Sequence, residues 1–325
     1  MSLTDLIKPH LPAGLRSPLA RIASFSRGKR VVLAYTAHHR LARRAYRAGN
    51  PTPAVPSDLI RGLGVQVLPG DGAGGLIDLP HDYHASVQAI RSAAHERFSR
   101  SEGLSFFPQL PAGPMPASTA DIDAVKRGEV IIMRLANPTT LPGIGALSRA
   151  IVDQLERRLF GSYAVVDRLF VYRSPICRER PRASWLWHYD NYPREIVKVM
   201  IYLSDVTDGT APFEYLRSER RGQALRGRPL APGYGNGRFD DQAMAAFMAR
   251  GCIAERVVGA SGTMMVFDTN VVHRANLAEA GHRDVLVLQV RPALQPGHGI
   301  VDPRWTGSFQ HTGFSADPAE LRVSW

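Results

Sequence analysis

The hydrophobic period of this chain changes at Gly161, and that change constrains the fold more than any other feature. Ahead of it, apolar residues recur at helical spacing. Ile144, Leu147, Ile151, Leu155 and Leu159 form one stripe over 144–160, Arg157 and Arg158 sit in the last turn, and Gly161 is the stop. Val87, Ile90, Ala94 and Phe98 mark a helix over 85–99. Ser118 and Asp121 open a short helix in the manner of a capping box, Gly128 closes it, and Val130–Leu135 reads as a strand. After Gly161 the period is two. Strands are predicted at Val165–Tyr172, Trp185–Asp190, Ile196–Leu203, Phe213–Leu216, Arg256–Val258, Thr263–Phe267, Val271–Arg274 and Asp284–Val290, interrupted by one helix over 241–250. Helices first and short strands afterwards predict an α+β fold, with a C-terminal jelly roll backed by the earlier helices.

Composition bounds the rest. Hydrophobic residues make up 44% and charged residues 21% of the 325, enough for a packed core. No apolar run is long enough to cross a bilayer, so no transmembrane segment is expected. Two cysteines, Cys177 and Cys252, demand no disulfide, and a cytoplasmic location is the expectation. The formal charge is +11, concentrated at the start: in residues 1–50 Asp5 is the only acid, against basic residues that include Arg27, Lys29, Arg30, Arg40, Arg43, Arg44 and Arg47. Pro51, Pro53 and Pro56 then break the chain. Residues 1–56 therefore read as a basic N-terminal arm: a solvated, partly helical segment, a surface for an anionic partner, or a targeting segment of transit-peptide composition. Residues 57–325 read as the main domain, its part 57–160 helical.

Chemistry concentrates in Trp-Leu-Trp-His188-Tyr-Asp190. On a strand, His188 and Asp190 point the same way, roughly 7 Å apart. An imidazole and a carboxylate on one face can share a metal, but the third ligand must come from another strand. His273, in Val-Val-His-Arg-Ala-Asn, fits. Two imidazoles and one carboxylate on one side of an ion form the facial set that suits Fe(II) and leave three positions open. In that chemistry 2-oxoglutarate fills two of them and O2 the third. The far carboxylate of 2-oxoglutarate needs a cation. Arg283, ten residues after His273, opens the last predicted strand and carries a fork that binds carboxylate bidentately.

The run His188-Tyr-Asp190, the strand from Lys198 to Asp205, and Gly262-Thr-Met-Met-Val-Phe-Asp268 with His273, Asn276 and Arg283 resembles the phytanoyl-CoA dioxygenase-like branch of the Fe(II)/2-oxoglutarate-dependent oxygenases. The resemblance covers residues 163–291 and implies a double-stranded β-helix (jelly-roll, cupin-like) core. It carries three metal ligands, His188, Asp190 and His273, and one cosubstrate arginine, Arg283, onto this chain. It implies hydroxylation of an unactivated C–H bond in a small or carrier-bound substrate, with release of succinate and CO2. Related halogenases replace the carboxylate ligand with a small residue, so Asp190 favours hydroxylation.

Other residues admit two readings each. Lys198 shares a strand face with Met200 and Tyr202; it is a cosubstrate or substrate contact if that face is internal, and a surface lysine otherwise. Arg291 lies too far along its strand to share the task of Arg283. Trp185 and Trp187 read as packing. Arg178, Arg180 and Arg182 lie in a loop that suits a lid over an anionic substrate. A second His-x-Asp triplet, His282-Arg283-Asp284, fails as a metal site for want of a partner downstream, where only His298 and His311 remain. Two rival classes stay open: a cupin-like metalloenzyme that does not use 2-oxoglutarate, and a basic non-enzymatic binding module. Substrate and oligomeric state are not written in the sequence.

Overall fold

The computed structural model describes residues 33, 35–50, 59–69, 76–101, 103–107, 119–135, 137–181, 183–190, 192–227 and 238–296. Among these, helices combine with antiparallel sheet. Ten strands follow in chain order: β1 (Val65–Leu68), β2 (Leu104–Phe107), β3 (Ile132–Leu135), β4 (Tyr163–Ser174), β5 (Val197–Tyr202), β6 (Phe213–Ser218), β7 (Cys252–Val257), β8 (Met264–Asp268), β9 (His273–Ala275) and β10 (Arg283–Ala293). They form a seven-stranded sheet, β1-β8-β5-β10-β4-β3-β2, and a three-stranded sheet, β7-β6-β9.

Strand alternation gives the large sheet two unlike faces. One carries Val197, Val199 and Ile201 of β5, Val266 of β8, and Leu286, Leu288 and Val290 of β10. The helices Tyr83–Arg100 and Ile144–Leu155 cover this face with Val87, Ile90 and Phe98, and with Ile144, Leu147 and Ile151. A fully buried side chain such as Ile151 contributes roughly 1.5–3 kcal/mol by its burial. Met200, Tyr202, Met265, Phe267, Val285 and Val287 line the other face and pack against Phe213, Tyr215 and Val257 of the small sheet. The space between the sheets is thus walled by alternate residues of β5, β8 and β10, and Lys198 belongs to this inner set by register.

Four local outcomes differ from the sequence reading. Trp185–Asp190 is not a strand: Ala183–Trp185 form a 3-10 turn, and the chain then pairs with β9 by a single bridge, His188–His273. Pro181 and Pro193 bracket this stretch and offer no N–H to a longer ladder. The helix over 144–160 is α-helical only to Leu155 and widens to a π turn over Glu156–Phe160, closed at Gly161 with φ of 58°. β1 and β2 add strands where the sequence gives little alternation, and β7 starts at Cys252 rather than Arg256. Finally, residues 35–49 of the basic segment are helical and bury Tyr35, His39, Ala42 and Tyr46 along one side. There Tyr46 meets Tyr163 edge-on at 5.0 Å, and the His39 ring lies 3.0 Å from the Phe160 carbonyl oxygen. Residues 1–32 and Ser118 lie outside the described residues.

Candidate metal centre

β9 is short but firmly registered. Its His273 exchanges both backbone hydrogen bonds with His188, at 2.8 and 2.9 Å, which sets the two rings 4.4 Å apart. Phe213 and Phe267 flank the His273 ring at 5.3 and 5.5 Å. Beneath β9, buried Glu214 accepts from Arg274 at 2.6 Å, from Arg256 at 3.2 Å and from Asn276 at 3.3 Å, fastening the strand to its neighbour. The backbone N–H of Asp190 donates to the Thr269 carbonyl at 2.9 Å. A turn, held at His188 and again at Asp190, thus does what the sequence assigned to strand pleating. Between them Tyr189 lies against Gly227, where a Cβ would collide with its ring.

The ligand atoms of His188, Asp190 and His273 lie within 4.8 Å of one another. Nδ1 of His188 is 2.8 Å from the Leu186 carbonyl oxygen, and Nδ1 of His273 is 2.7 Å from that of Val271. A carbonyl only accepts, so each Nδ1 carries the proton and each Nε2 presents a lone pair, the tautomer a metal requires. The carboxylate of Asp190 is divided. Its Oδ2 accepts from Lys198 Nζ at 2.6 Å, while Oδ1 faces His188 Nε2 at 3.7 Å.

Electrostatics suit a cation here. Burial opposes charge on Asp190, but Lys198 and the two histidines outweigh it and hold the carboxyl well below the usual range. Burial, reinforced by the neighbouring His188, pulls His273 down to about 3, so its imidazole is neutral at pH 7. Burial also works against the ammonium of Lys198, and Asp190 beside it reverses the balance and raises its pKa. Lys198 is therefore not a surface lysine; it is the counter-charge of Asp190.

Arg283 is wholly buried, and its Nε, Nη1 and Nη2 have no hydrogen-bond partner among the described residues. Tyr202 lies in its field, but the Tyr202 hydroxyl donates to Val257 O at 2.8 Å and accepts from Phe213 N at 3.1 Å. A desolvated guanidinium left without an acceptor is costly, and an anionic ligand is what removes the cost. Arg291 differs: it pairs with buried Asp167 at 3.3 Å. Trp185 and Trp187 are buried in apolar clusters, as packing residues are. Arg178 lies beyond the large sheet, against residues of its helix-covered side.

A second group comes together that the sequence reading dismissed. His282 and Asp284 gain His95, from the helix Tyr83–Arg100, and their ligand atoms also lie within 4.8 Å. The partner comes from upstream of the triplet, not from downstream. However, Arg173 donates to both oxygens of Asp284, at 2.8 and 2.7 Å, and occupies the position a metal would take.

No family model matches the chain, and no curated protein matches it in sequence. Among solved structures, EctD from S. alaskensis in its apoform is 16% identical over 83% of this chain and 87% of that one, with a TM-score of 0.47. The epimerase SnoN, in complex with Fe3+, alpha ketoglutarate and nogalamycin RO, is 16% identical over 82% and 93%, with a TM-score of 0.46. HygX from Streptomyces hygroscopicus, with nickel and 2-oxoglutarate bound, is 14% identical over 75% and 90%, with a TM-score of 0.39. Likeness of this degree carries no weight for the chemistry of this chain, which rests on its own residues. No helix among the described residues is long and apolar enough to cross a membrane.

Proposed function

We propose that this protein is a non-haem Fe(II)- and 2-oxoglutarate-dependent oxygenase. In this reading His188, Asp190 and His273 hold the iron, and Arg283 receives the far carboxylate of 2-oxoglutarate. The observation that carries it is a conjunction: two imidazoles with Nε2 free and a carboxylate with one free oxygen converge, in the same interior that holds an orphaned guanidinium. Neutral nitrogen donors with one carboxylate on one side of an ion suit Fe(II) and leave positions open. The strand order supports a double-stranded β-helix. From β4 onward the chain passes back and forth between the large and small sheets, except at β6 and β7, which pair within the small sheet, and the His188 segment takes the place of a short strand beside β9. Residues 57–325 form the catalytic unit in this reading.

Iron bound there supplies the redox chemistry that couples decarboxylation of 2-oxoglutarate, to succinate and CO2, to oxidation of a substrate C–H bond. The residues of the chain do the rest. Lys198 holds Asp190 ionised and fixes its Oδ2, so that Oδ1 is the ligand oxygen. The carbonyls of Leu186 and Val271 hold the histidine tautomers. Phe213, Phe267 and Met200 keep the chamber apolar, which excludes water from a reactive centre. The carboxylate of Asp190 occupies a ligand position that a halide would need, which favours hydroxylation.

The test is anaerobic addition of Fe(II) to metal-free protein, followed by air and measurement of succinate from 2-oxoglutarate, for the native chain and Asp190→Ala. The native chain is expected to bind one Fe(II) and form succinate even without substrate, and the variant to do neither. Equal succinate from both proteins would sink the assignment.

A further inference from the structure

A cavity of about 450 Å³ lies on the side of the large sheet away from the metal centre. It is within the size range of small-molecule pockets. Its floor is apolar: Phe98 of the helix Tyr83–Arg100, Phe106 of β2 and Met133 of β3, all buried, with Ile122 and Val125 of the helix Thr119–Arg127 as one wall. Its rim is cationic, and no carboxylate is among the described lining residues.

The cations at the rim are not alike. Arg173 stacks over Phe98 at 4.7 Å, but Asp284 behind it cancels its charge. Lys126 is exposed and meets Asp123 at 3.4 Å, a pairing that water largely screens. Arg178 has no ion-pair partner among the described residues. It is nevertheless held in place: its N–H donates to Gly128 O at 2.9 Å, and its stem packs where a Gly128 Cβ would stand, 3.0 Å from Cγ. Gly128 has φ of +77°, so only glycine accepts both the turn and the close approach without strain.

We propose that this cavity binds a small amphipathic carboxylate, its body on Phe98, Phe106 and Met133 and its carboxylate on Arg178 with Lys126 beside it. An apolar floor alone would take any oil. A guanidinium on an anchored stem, without a counter-charge among the described residues, adds the requirement for an anion, and its planar fork matches a carboxylate. The site is independent of the metal centre and of the reaction proposed for it.

Calorimetric titration of the full-length protein with octanoate, and separately with octanol, tests this directly. Octanoate is expected to saturate one site, and octanol to bind at least about tenfold more weakly, the equivalent of 1.4 kcal/mol for the lost charge contact. Arg178→Glu, at an exposed position, should weaken octanoate by at least about tenfold while melting temperature and Fe(II) binding stay as in the native chain. Val125→Trp, which fills the wall side of the cavity, should remove binding altogether. Absence of saturable octanoate binding, octanol binding as tight as octanoate, or octanoate binding indifferent to Arg178→Glu would each overturn the proposal.

Discussion

Among the described residues, two groups of two histidines and one aspartate come together, and each includes a His-x-Asp triplet. The ligands are the same; the surroundings are opposite. At His188, Asp190 and His273, a lysine takes one carboxylate oxygen and leaves the other, and backbone carbonyls turn both Nε2 atoms inward. At His95, His282 and Asp284, an arginine takes both oxygens, and its second terminal nitrogen also lies 3.1 Å from His95 Nδ1. A point charge and a fork on the same carboxylate thus have contrary results: the first prepares a ligand and the second consumes it. Burial separates them as well, since His95 is exposed and His273 is buried.

The largest effect that can break this contrast is on turnover. His273→Ala is expected to abolish Fe(II) binding and to lower succinate formation by about a thousandfold or more, the scale of losing a group that works as part of a unit. His282→Ala should leave both within about twofold. Equal losses from the two variants, measured as metal content and succinate rate, would erase the distinction. Next in size is Arg173→Ala. It strands the buried Asp284 carboxylate and should cost about 3–5 kcal/mol in urea unfolding. It also frees three donor groups, so added Ni2+ should restore part of that stability and raise bound metal from one to two per chain. If Ni2+ fails to bind a second time, the occupation of Asp284 by Arg173 is not what keeps metal out.

Two further substitutions sharpen the first centre. Arg283→Ala removes the unpartnered guanidinium, and the apparent KM for 2-oxoglutarate should rise about a hundredfold, with kcat changed far less. An unchanged KM would instead favour a metalloenzyme that does not use this cosubstrate. Lys198→Met keeps the length of the side chain and removes the charge on Asp190 Oδ2, so Fe(II) affinity should drop by about 10–100-fold, the usual penalty for losing a group that orients a ligand. Titration of metal-free protein with Fe(II) reads this without turnover.

How much of this was legible depends on how local the signal is. His188, Asp190, His273 and Arg283 stand out in the sequence because residue type and spacing carry their chemistry. The strand invoked to align His188 with Asp190 is not there; hydrogen bonds to His273 and Thr269, remote in sequence, hold the turn that replaces it. The inner or outer placement of Lys198 could not be read, since Val197, Val199 and Ile201 on one side and Met200 and Tyr202 on the other both make a buried face. Only the helices covering one side decide it. The burial of one side of the helix over 35–49 is hidden by its arginines, although Tyr35, His39, Ala42 and Tyr46 keep helical spacing among them. His95 carries no such local signal, because the packing of a helix on the sheet is what joins it to its partners.

A third carboxylate extends the contrast to one with no strong counter-charge. Glu156 begins the π turn, and its Oε1 accepts from the Ala164 N–H at 2.7 Å. Burial pushes its pKa up from 4.5 to about 7; the Ala164 N–H and Arg157 pull the other way without matching it, and Asp153 adds to the rise. The folded protein therefore binds the Glu156 proton more tightly than the unfolded chain does. That contribution to stability is complete below about pH 4.5 and is lost as pH climbs through 7, the reverse of a carboxylate whose pKa folding lowers. Glu156→Gln keeps the acceptor for Ala164 and deletes the titration. Its melting temperature should match that of the native chain near pH 5, exceed it modestly near pH 8, and change less between the two. Parallel pH profiles for the two proteins would mean that Glu156 has a counter-charge after all, and that charge compensation does not distinguish it from Asp190 and Asp284.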